Sequence, residues 1–286
     1  MNDAIEKVGK SAIQHGQHNQ RIYLMKSDVE DLSYLLGHLE ELADQQNYSK
    51  IFAKIPASQL PPFLSYGYEV EASVPGLFNG LERGVFLGRY KDSDRKKEKH
   101  PDLVKEVLDS ARDKQGLVFC PEDANCVCRP LFADDMEDAA AIYRSVFQSY
   151  PFPIHDPQYL RSTMDNITYY GIWVNEQLVA LSSAEVDYEN GHAEMTDFAT
   201  LPEFRGKGYA NLLLARMEAD MRDKQIPALF TIARAYSHGM NITFAKNGYS
   251  FSGTLTNNTQ ISGKLESMNV WHKLLPTDQE GMVLGQ

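Results

Sequence analysis

The chain has 286 residues, and 28 Lys and Arg against 39 Asp and Glu give it a formal net charge of −11. This acidic balance argues against nucleic acid or an anionic membrane as the main partner and is compatible with a cationic substrate. No stretch is apolar enough to span a bilayer, and the N-terminal segment lacks the apolar core of a signal peptide, so we expect a cytoplasmic protein. The cysteines, Cys120, Cys126 and Cys128, lack metal-ligand spacing, and we expect reduced thiols and no metal site.

Composition and turn residues divide the chain into five parts. We expect a flexible N-terminus at 1–19, an αβ unit at 20–90 and a tail at 276–286. Residues 91–124 are dense in charges of both signs, which indicates a solvated linker with a helix. A second, larger αβ unit is expected at 125–275.

Hydrophobic periodicity predicts the elements of both units. In the first unit they are a strand at 21–26, a helix at 32–46 and strands at 50–55 and 85–90. In the second unit the predicted helices are 133–147, 156–164, 210–222 and 237–247, and the predicted strands are 125–131, 167–174, 178–186, 192–201, 227–233, 250–254 and 268–273.

A short glycine-rich segment, RGKGYA at 205–210, follows the strand at 192–201 and precedes a helix. Glycines let a ligand approach the backbone, and the first turn of the helix offers unpaired N–H groups, which together suit a pyrophosphate. A Rossmann turn is excluded because Asn211 stands where its third glycine would be, and a Walker loop because Gly208 follows Lys207. A tight turn that binds nothing is the remaining alternative.

This R-G-x-G-x-A segment resembles the acetyl-CoA signature of the GNAT N-acetyltransferases. The element order at 125–275 is similar to their fold, an α/β (α+β) arrangement in which helices flank a mixed, mostly antiparallel sheet. The resemblance implies acetyl-CoA as co-substrate, and it implies a strand that splays from its neighbour to let backbone N–H groups bind the thioester or pantetheine. The cofactor-binding residues that it implies are Phe198, Ala199, Thr200, Arg205, Gly206, Lys207, Gly208, Tyr209 and Ala210.

Residues 21–90 resemble the second unit. The segments LLGHLEELADQQNYSKIFAKIP and FLSYGY correspond to LLLARMEADMRDKQIPALFTIA and FAKNGY, so that Ile51 matches Leu229 and Gly67 matches Gly248. We predict that residues 20–90 are a degenerate half-GNAT-like domain. Because it lacks a glycine loop, it should bind no CoA and act as a docking or dimerising module, and a homodimer would follow from the second role. Chance similarity of two αβ units is the alternative.

Acetyl transfer to an amine requires a base, because the amine is protonated at neutral pH. In histone-type GNAT members the glutamate base lies where Glu194 stands, and Asp197 is the other acid on this strand. Strand alternation puts the two on opposite faces unless a bulge intervenes, and Glu185 is a third candidate. The usual general-acid Tyr of the family is replaced by Phe244, so Tyr236 or water would protonate the thiolate.

Longer segments, MTDFATLPEFRGKGYANLLLARME and TIARAYSHGMNITFAKNGY among them, are similar to the β-lysine N6-acetyltransferases over residues 20–275. This resemblance implies transfer of an acetyl group to the N6 amine of β-lysine (3,6-diaminohexanoate), which yields a compatible solute. Its partner would be a small-molecule amine, and the substrate-lining candidates are Asp197, Asn257, Asn258 and Glu266. Acetylation of another small amine or of protein lysine, or a non-catalytic role in binding acyl-CoA, stays open.

Overall fold

The computed structural model describes residues 3–117, 126–261 and 263–276. The predicted tail beyond residue 276, the end of the predicted linker and Cys120 lie outside these residues. Within them, thirteen strands form one sheet. In this described part, the only parallel pairs are 21–24 with 50–53 and 192–194 with 228–230. A mixed, mostly antiparallel sheet flanked by helices is thereby confirmed.

The N-terminal half contains the first six strands and two helices. Its elements are β1 (Ala4–Val8), β2 (Ser11–Gly16), β3 (Arg21–Lys26), α1 (Leu32–Gln46), β4 (Lys50–Pro56), α2 (Leu60–Ser65), β5 (Glu69–Phe78) and β6 (Glu82–Tyr90). The flexible N-terminus predicted for residues 1–19 is wrong for 4–16, because these residues form a hairpin that extends the sheet and buries Ile13.

The C-terminal half follows a linker that carries α3 (Pro101–Arg112), which packs on the helix at 238–246. Its elements are β7 (Cys126–Pro130), α4 (Met136–Val146), α5 (Pro157–Ser162), β8 (Ile167–Val174), β9 (Gln177–Asp187), β10 (His192–Thr200), α6 (Tyr209–Asp223), β11 (Ala228–Arg234), α7 (His238–Lys246), β12 (Ser250–Ile261) and β13 (Lys264–Leu274). Apolar side chains of α6 and α7 cover one face of its sheet, and those of α4 and α5 cover part of the other.

The two halves share one strand order and the same irregularities. The order β1-β2-β3-β4-β6-β5 in the first half corresponds to β8-β9-β10-β11-β13-β12 in the second. The register of β5 shifts between Val70 and Ala72 and between Val74 and Phe78, and that of β12 shifts between Phe251 and Gly253 and between Leu255 and Thr259. Every such pair is 181 positions apart, as 72 and 253 are. The repeat inferred from the sequence is therefore present in the backbone and includes the first hairpin.

The halves meet where β5 pairs with β12, at the equivalent residues Ala72 and Gly253. Gly253 has φ +146°, and a Cβ there would lie 2.1 Å from the carbonyl oxygen of Glu71, so the close approach requires glycine. The bulges on both sides bend the strands. As a result the sheet folds back on itself: the rings of Phe86 (β6) and Phe230 (β11) are 5.8 Å apart, although four strand spacings in a flat sheet would separate them by roughly 19 Å.

Candidate active site

A V-shaped cleft opens between β10 and β11. The two strands pair only from His192 with Ala228 to Glu194 with Phe230. Beyond Glu194, β10 stays paired with β9 alone and β11 with β13 alone. The backbone edges that face the cleft therefore have no strand partner and can bind a ligand chain. This is the splay that the family resemblance implies.

A β-bulge in β10 adds to the opening. The register with β9 shifts between Thr196 and Ala199, and Asp197 adopts φ +56°, in the left-handed region that Asp tolerates better than most residues. The bulge turns the carboxylate of Asp197 towards the cleft, where it lines a cavity of about 600 Å³.

The glycine loop closes the other end of this cavity. Gly206 has φ +79° and Gly208 has φ +81°, so both need the conformational freedom of glycine. Gly208 caps α6, and the residues that begin this helix, 208–211, line the cavity. Unpaired N–H groups and the positive end of the helix dipole suit a pyrophosphate, and the cavity has room for a pantetheine chain.

Seven of the nine predicted cofactor residues line the cavity: Phe198, Thr200, Arg205, Gly206, Gly208, Tyr209 and Ala210. Ala199 instead packs in the apolar cluster under α4 and α5. The Lys207 ammonium lies 4.9 Å from the centre of the Phe204 ring. Arg234 lines the cavity as well and was missed in the sequence, where nothing marks it.

Three carboxylates gather at the closed end of the cleft. Glu194 and Glu185 are direct partners on β10 and β9. Burial raises the pKa of Glu194 to about 7, with Lys54 and the backbone N–H of Ile232 opposing the shift and Asp197 adding to it. Burial raises the pKa of Glu185 well above its usual value, and the negative charges of Glu194 and Asp197 add to the rise. Glu194 can thus accept a proton near neutral pH.

The carboxylate of Asp197 is held by hydroxyl groups. Tyr150 donates to its Oδ1, Ser183 donates to its Oδ2 at 2.8 Å, and Thr196 lies 3.4 Å from Oδ1. Burial raises the pKa of Asp197, and these donors oppose the rise. The sequence alone did not single out Tyr150, which comes from the chain that follows α4.

The N-terminal half reaches this site through Lys54 on β4. Its Nζ lies 3.0 Å from Nε2 of His192 and 4.9 Å from the centre of the Phe230 ring. Burial lowers the pKa of Lys54, while Glu194, Asp187 and Glu185 act in the opposite direction. In a flat sheet, six strand spacings would separate β4 from β10 by roughly 29 Å. The fold of the sheet alone brings Lys54 to the carboxylates.

The other predicted residues lie away from the cleft. The hydroxyl of Tyr236 donates to Glu98 of the linker at 2.6 Å, and the amide of Asn257 donates to the carbonyls of Arg95 and Lys97. The carbonyl of Asn258 accepts from Arg21, at the junction of the halves. The side chains of Tyr236 and Asn257 hold the linker, and the backbone of Asn258 binds Arg21 at the junction. None of these three residues lines the cavity.

Glu266 binds Arg234 through two hydrogen bonds of 2.6 and 2.8 Å and is 4% exposed. Its contact with the site is therefore indirect, through a cavity-lining guanidinium.

The region of the N-terminal half that corresponds to the glycine loop carries negative charge, whereas the glycine loop itself carries positive charge. Asp28 caps the turn that leads into α1 by accepting from the N–H of Glu30 at 2.9 Å. Asp31 accepts from Ser11 and from the backbone of Lys10. Carboxylates at this helix start would repel a pyrophosphate, which supports the prediction that this half binds no CoA.

Among the described residues, no three His, Cys, Asp or Glu side chains are arranged as a metal site. None of the helices in this part of the chain has the length and apolar character needed to cross a membrane.

Comparison with known proteins identifies relatives over nearly the whole chain. A model of the acetyltransferase (GNAT) family matches residues 135–249. The beta-lysine N(6)-acetyltransferase of Methanococcus maripaludis is 36% identical over 273 residues, which cover 95% of this chain and 99% of that protein. N-acetyltransferase YodP of Bacillus subtilis is 30% identical, with coverages of 95% and 99%. The beta-lysine N(6)-acetyltransferase of Methanosarcina mazei is 28% identical, with coverages of 84% and 97%. The chain therefore belongs to the GNAT family and is an acetyl-CoA-dependent N-acetyltransferase close to the beta-lysine N(6)-acetyltransferases.

Proposed function

We propose that this protein transfers the acetyl group of acetyl-CoA to the N6 amine of β-lysine, with Glu194 as general base. The observation that carries the proposal is the position of Glu194 at the vertex of the cleft, with its pKa raised to about 7 and two further carboxylates beside it. A pocket rich in carboxylates suits a substrate with two amines. The names of two relatives support the choice of β-lysine.

The cavity residues divide the binding of the co-substrate between them. The N–H groups at the start of α6 and the Gly206–Gly208 turn would hold the pyrophosphate. The unpaired backbone edge of β10 beyond Glu194 would bind the pantetheine and donate to the thioester carbonyl. Together these contacts would present the thioester carbon near Asp197.

Glu194 would take the proton from the N6 ammonium, directly or through water, so that the neutral nitrogen attacks the thioester carbon. Backbone N–H groups of the β10 bulge would stabilise the negative oxygen that forms on that carbon. The attacking nitrogen then loses its second proton to water as the C–S bond breaks, and the thiolate takes a proton from water because Tyr236 is engaged with Glu98. The products are CoA thiol and N6-acetyl-β-lysine, a net-neutral zwitterion of the kind expected of a compatible solute.

Thiol release from acetyl-CoA tests this proposal, with β-lysine, α-lysine and a histone-tail peptide assayed in parallel and the products identified by mass. We expect β-lysine to be preferred and to gain a single acetyl group on N6. Preference for the peptide or for α-lysine would overturn the assignment of the substrate. Binding of acetyl-CoA without thiol release with any amine would favour a non-catalytic role.

A further inference from the structure

In the part of the chain that the structure describes, Lys54 is a cation without a carboxylate partner: no Asp or Glu oxygen lies within 4.0 Å of its Nζ. The hydrogen bond that these residues do give Lys54 is to Nε2 of His192. Burial and the neighbouring Lys54 lower the pKa of His192 to about 3, so the imidazole is neutral, and its Nδ1 faces the carbonyl of Asn190 at 3.4 Å. Nε2 of His192 therefore accepts a hydrogen bond from one N–H of the ammonium, and two N–H groups of Lys54 remain available as donors.

A second polar side chain on the same face of the sheet has no partner. Gln14 is 1% exposed, and within the described part of the chain neither its Nε2 nor its Oε1 makes a hydrogen bond. In the sheet, Gln14 lies opposite Tyr23, and Tyr23 lies opposite Phe52. Lys54 follows Phe52 by two residues on the same strand. Side chains two apart on a strand share a face, so all four point from the N-terminal half towards the C-terminal half. Buried amides without partners are rare, and each needs an explanation, of which a bound ligand is one.

This face is opposite the three carboxylates. Lys54 contacts His192, and His192 shares a face of β10 with Glu194, which pairs with Glu185. Burial raises the pKa of Tyr23, and the charges of Glu194 and Glu185 add to this rise. The facing side chains keep part of their surface accessible to solvent, so the halves do not pack closely there; they are Tyr23, Lys54, Glu185 and Glu194. The space between them therefore has carboxylates on one side and an ammonium and an amide on the other.

We propose that Lys54 binds the carboxylate of an amino-acid substrate, and that the N-terminal half thereby selects amino acids over plain diamines. Gln14 supplies a second polar contact on the same wall. The inference rests on the proposed function, because it names the wall that recognises the substrate end remote from the acetylated nitrogen. In this arrangement the N6 amine lies near Asp197 and Glu194, the 3-amino group faces Glu185, and the carboxylate meets Lys54.

The dimensions agree with this arrangement. Thr196, beside the bulge, follows His192, which contacts Lys54, by four positions. Four positions of extended strand span roughly 13 Å. Extended β-lysine covers roughly 7–8 Å from N6 to its carboxyl carbon. A contact of about 3 Å at each end brings the total to nearly the same length. A shorter amino acid would leave one of its ends unbound.

Two substrate pairs test the proposal, each an amino acid and the diamine that remains when its carboxylate is removed. They are β-lysine with 1,4-diaminopentane, and α-lysine with 1,5-diaminopentane. The readout is the ratio of kcat/KM within a pair, because any effect of Lys54 on the protonation of Glu194 acts on both members alike. We expect Lys54→Gln to lower the ratio by roughly 10- to 100-fold, mainly through KM, which is the usual loss for a charge-assisted hydrogen bond.

Lys54→Arg should restore part of the ratio, and Lys26→Gln, which removes an exposed lysine paired with Glu189, should leave it unchanged. Equal losses for the amino acid and the diamine in Lys54→Gln would overturn the proposal, since Lys54 would then act on the carboxylates alone. A wild-type enzyme that uses α-lysine and not β-lysine would refute the assigned substrate, and the second pair would still test Lys54. A wild-type preference for both diamines would overturn both ideas.

Discussion

Replacing the proposed base by its amide, Glu194→Gln, separates catalysis from binding most sharply. The substitution keeps the size of the side chain and removes its ability to accept a proton. The pKa of Glu194 is about 7, so at pH 7 about half of the molecules carry the carboxylate. An ordinary alkyl ammonium with a pKa near 10.4 is neutral in only about 0.04% of molecules at that pH. The variant would depend on this small fraction.

We expect kcat of Glu194→Gln to fall by about 10²- to 10³-fold at pH 7, the range typical of a lost general base. A base acts when it is deprotonated, so wild-type activity should rise from pH 6 to pH 8 as Glu194 loses its proton. The variant should lack this inflection and recover towards pH 10, where the amine itself becomes neutral. Its affinity for CoA should stay within about twofold, because Glu194 lies outside the glycine loop.

The assay is thiol release over a pH series, with CoA affinity measured by calorimetry. Glu189→Gln is a matched control, because Glu189 lies in the same hairpin and its exposed pair with Lys26 should contribute little. A constant deficit of Glu194→Gln at every pH, or a wild-type profile without an inflection near 7, would refute the role of Glu194 as base.

Three further substitutions probe other parts of the molecule. Gly208→Ala forces a side chain into a left-handed conformation at a cost of about 1–2 kcal/mol and should weaken CoA binding by roughly 5- to 30-fold, as calorimetry would show. Tyr150→Phe removes a donor from buried Asp197 and should lower the free energy of unfolding by about 1–2 kcal/mol in a denaturant titration. Lys50→Met leaves Glu71, 2.8 Å from the lost ammonium, as a buried unpaired charge, and the same titration should show a loss of about 3–5 kcal/mol; a loss below 1 kcal/mol would contradict this view of the junction.

Local features of the C-terminal half could be predicted from its sequence. Positive φ at Gly206 and Gly208, and the strand and helix that flank them, follow from glycine chemistry and periodicity over a few residues. Glu194 was placed on the correct strand for the same reason. Strand alternation alone does not decide whether Glu194 and Asp197 share a face of β10, because a bulge changes the alternation. The bulge depends on pairing with β9 and has no strong signal in the sequence of β10 itself.

Long-range contacts could not be predicted in the same way. Lys54 lies within a predicted strand and looks like an ordinary strand lysine, because its neighbour His192 is 138 positions away in the sequence. Asn257 and Asn258 look like substrate ligands because they are polar and lie near the expected site, yet Arg95 and Arg21 bind their backbone. Both sets of contacts depend on the fold of the sheet, which hydrophobic periodicity does not encode. The first hairpin was missed because its exposed, polar β1 lacks an alternating pattern.

The pairing of Ala72 with Gly253 joins equivalent residues of two equivalent halves, as a two-fold axis joins the subunits of a homodimer. In a true homodimer each substitution occurs in both copies, so neither copy can change its task alone. Covalent duplication removes that constraint: one copy can retain the cofactor cleft while the other gives up its own and becomes a wall for the first. We therefore expect one acetyl-CoA per chain and hyperbolic saturation, since the residues that the structure describes form no second, identical site with which the first could cooperate.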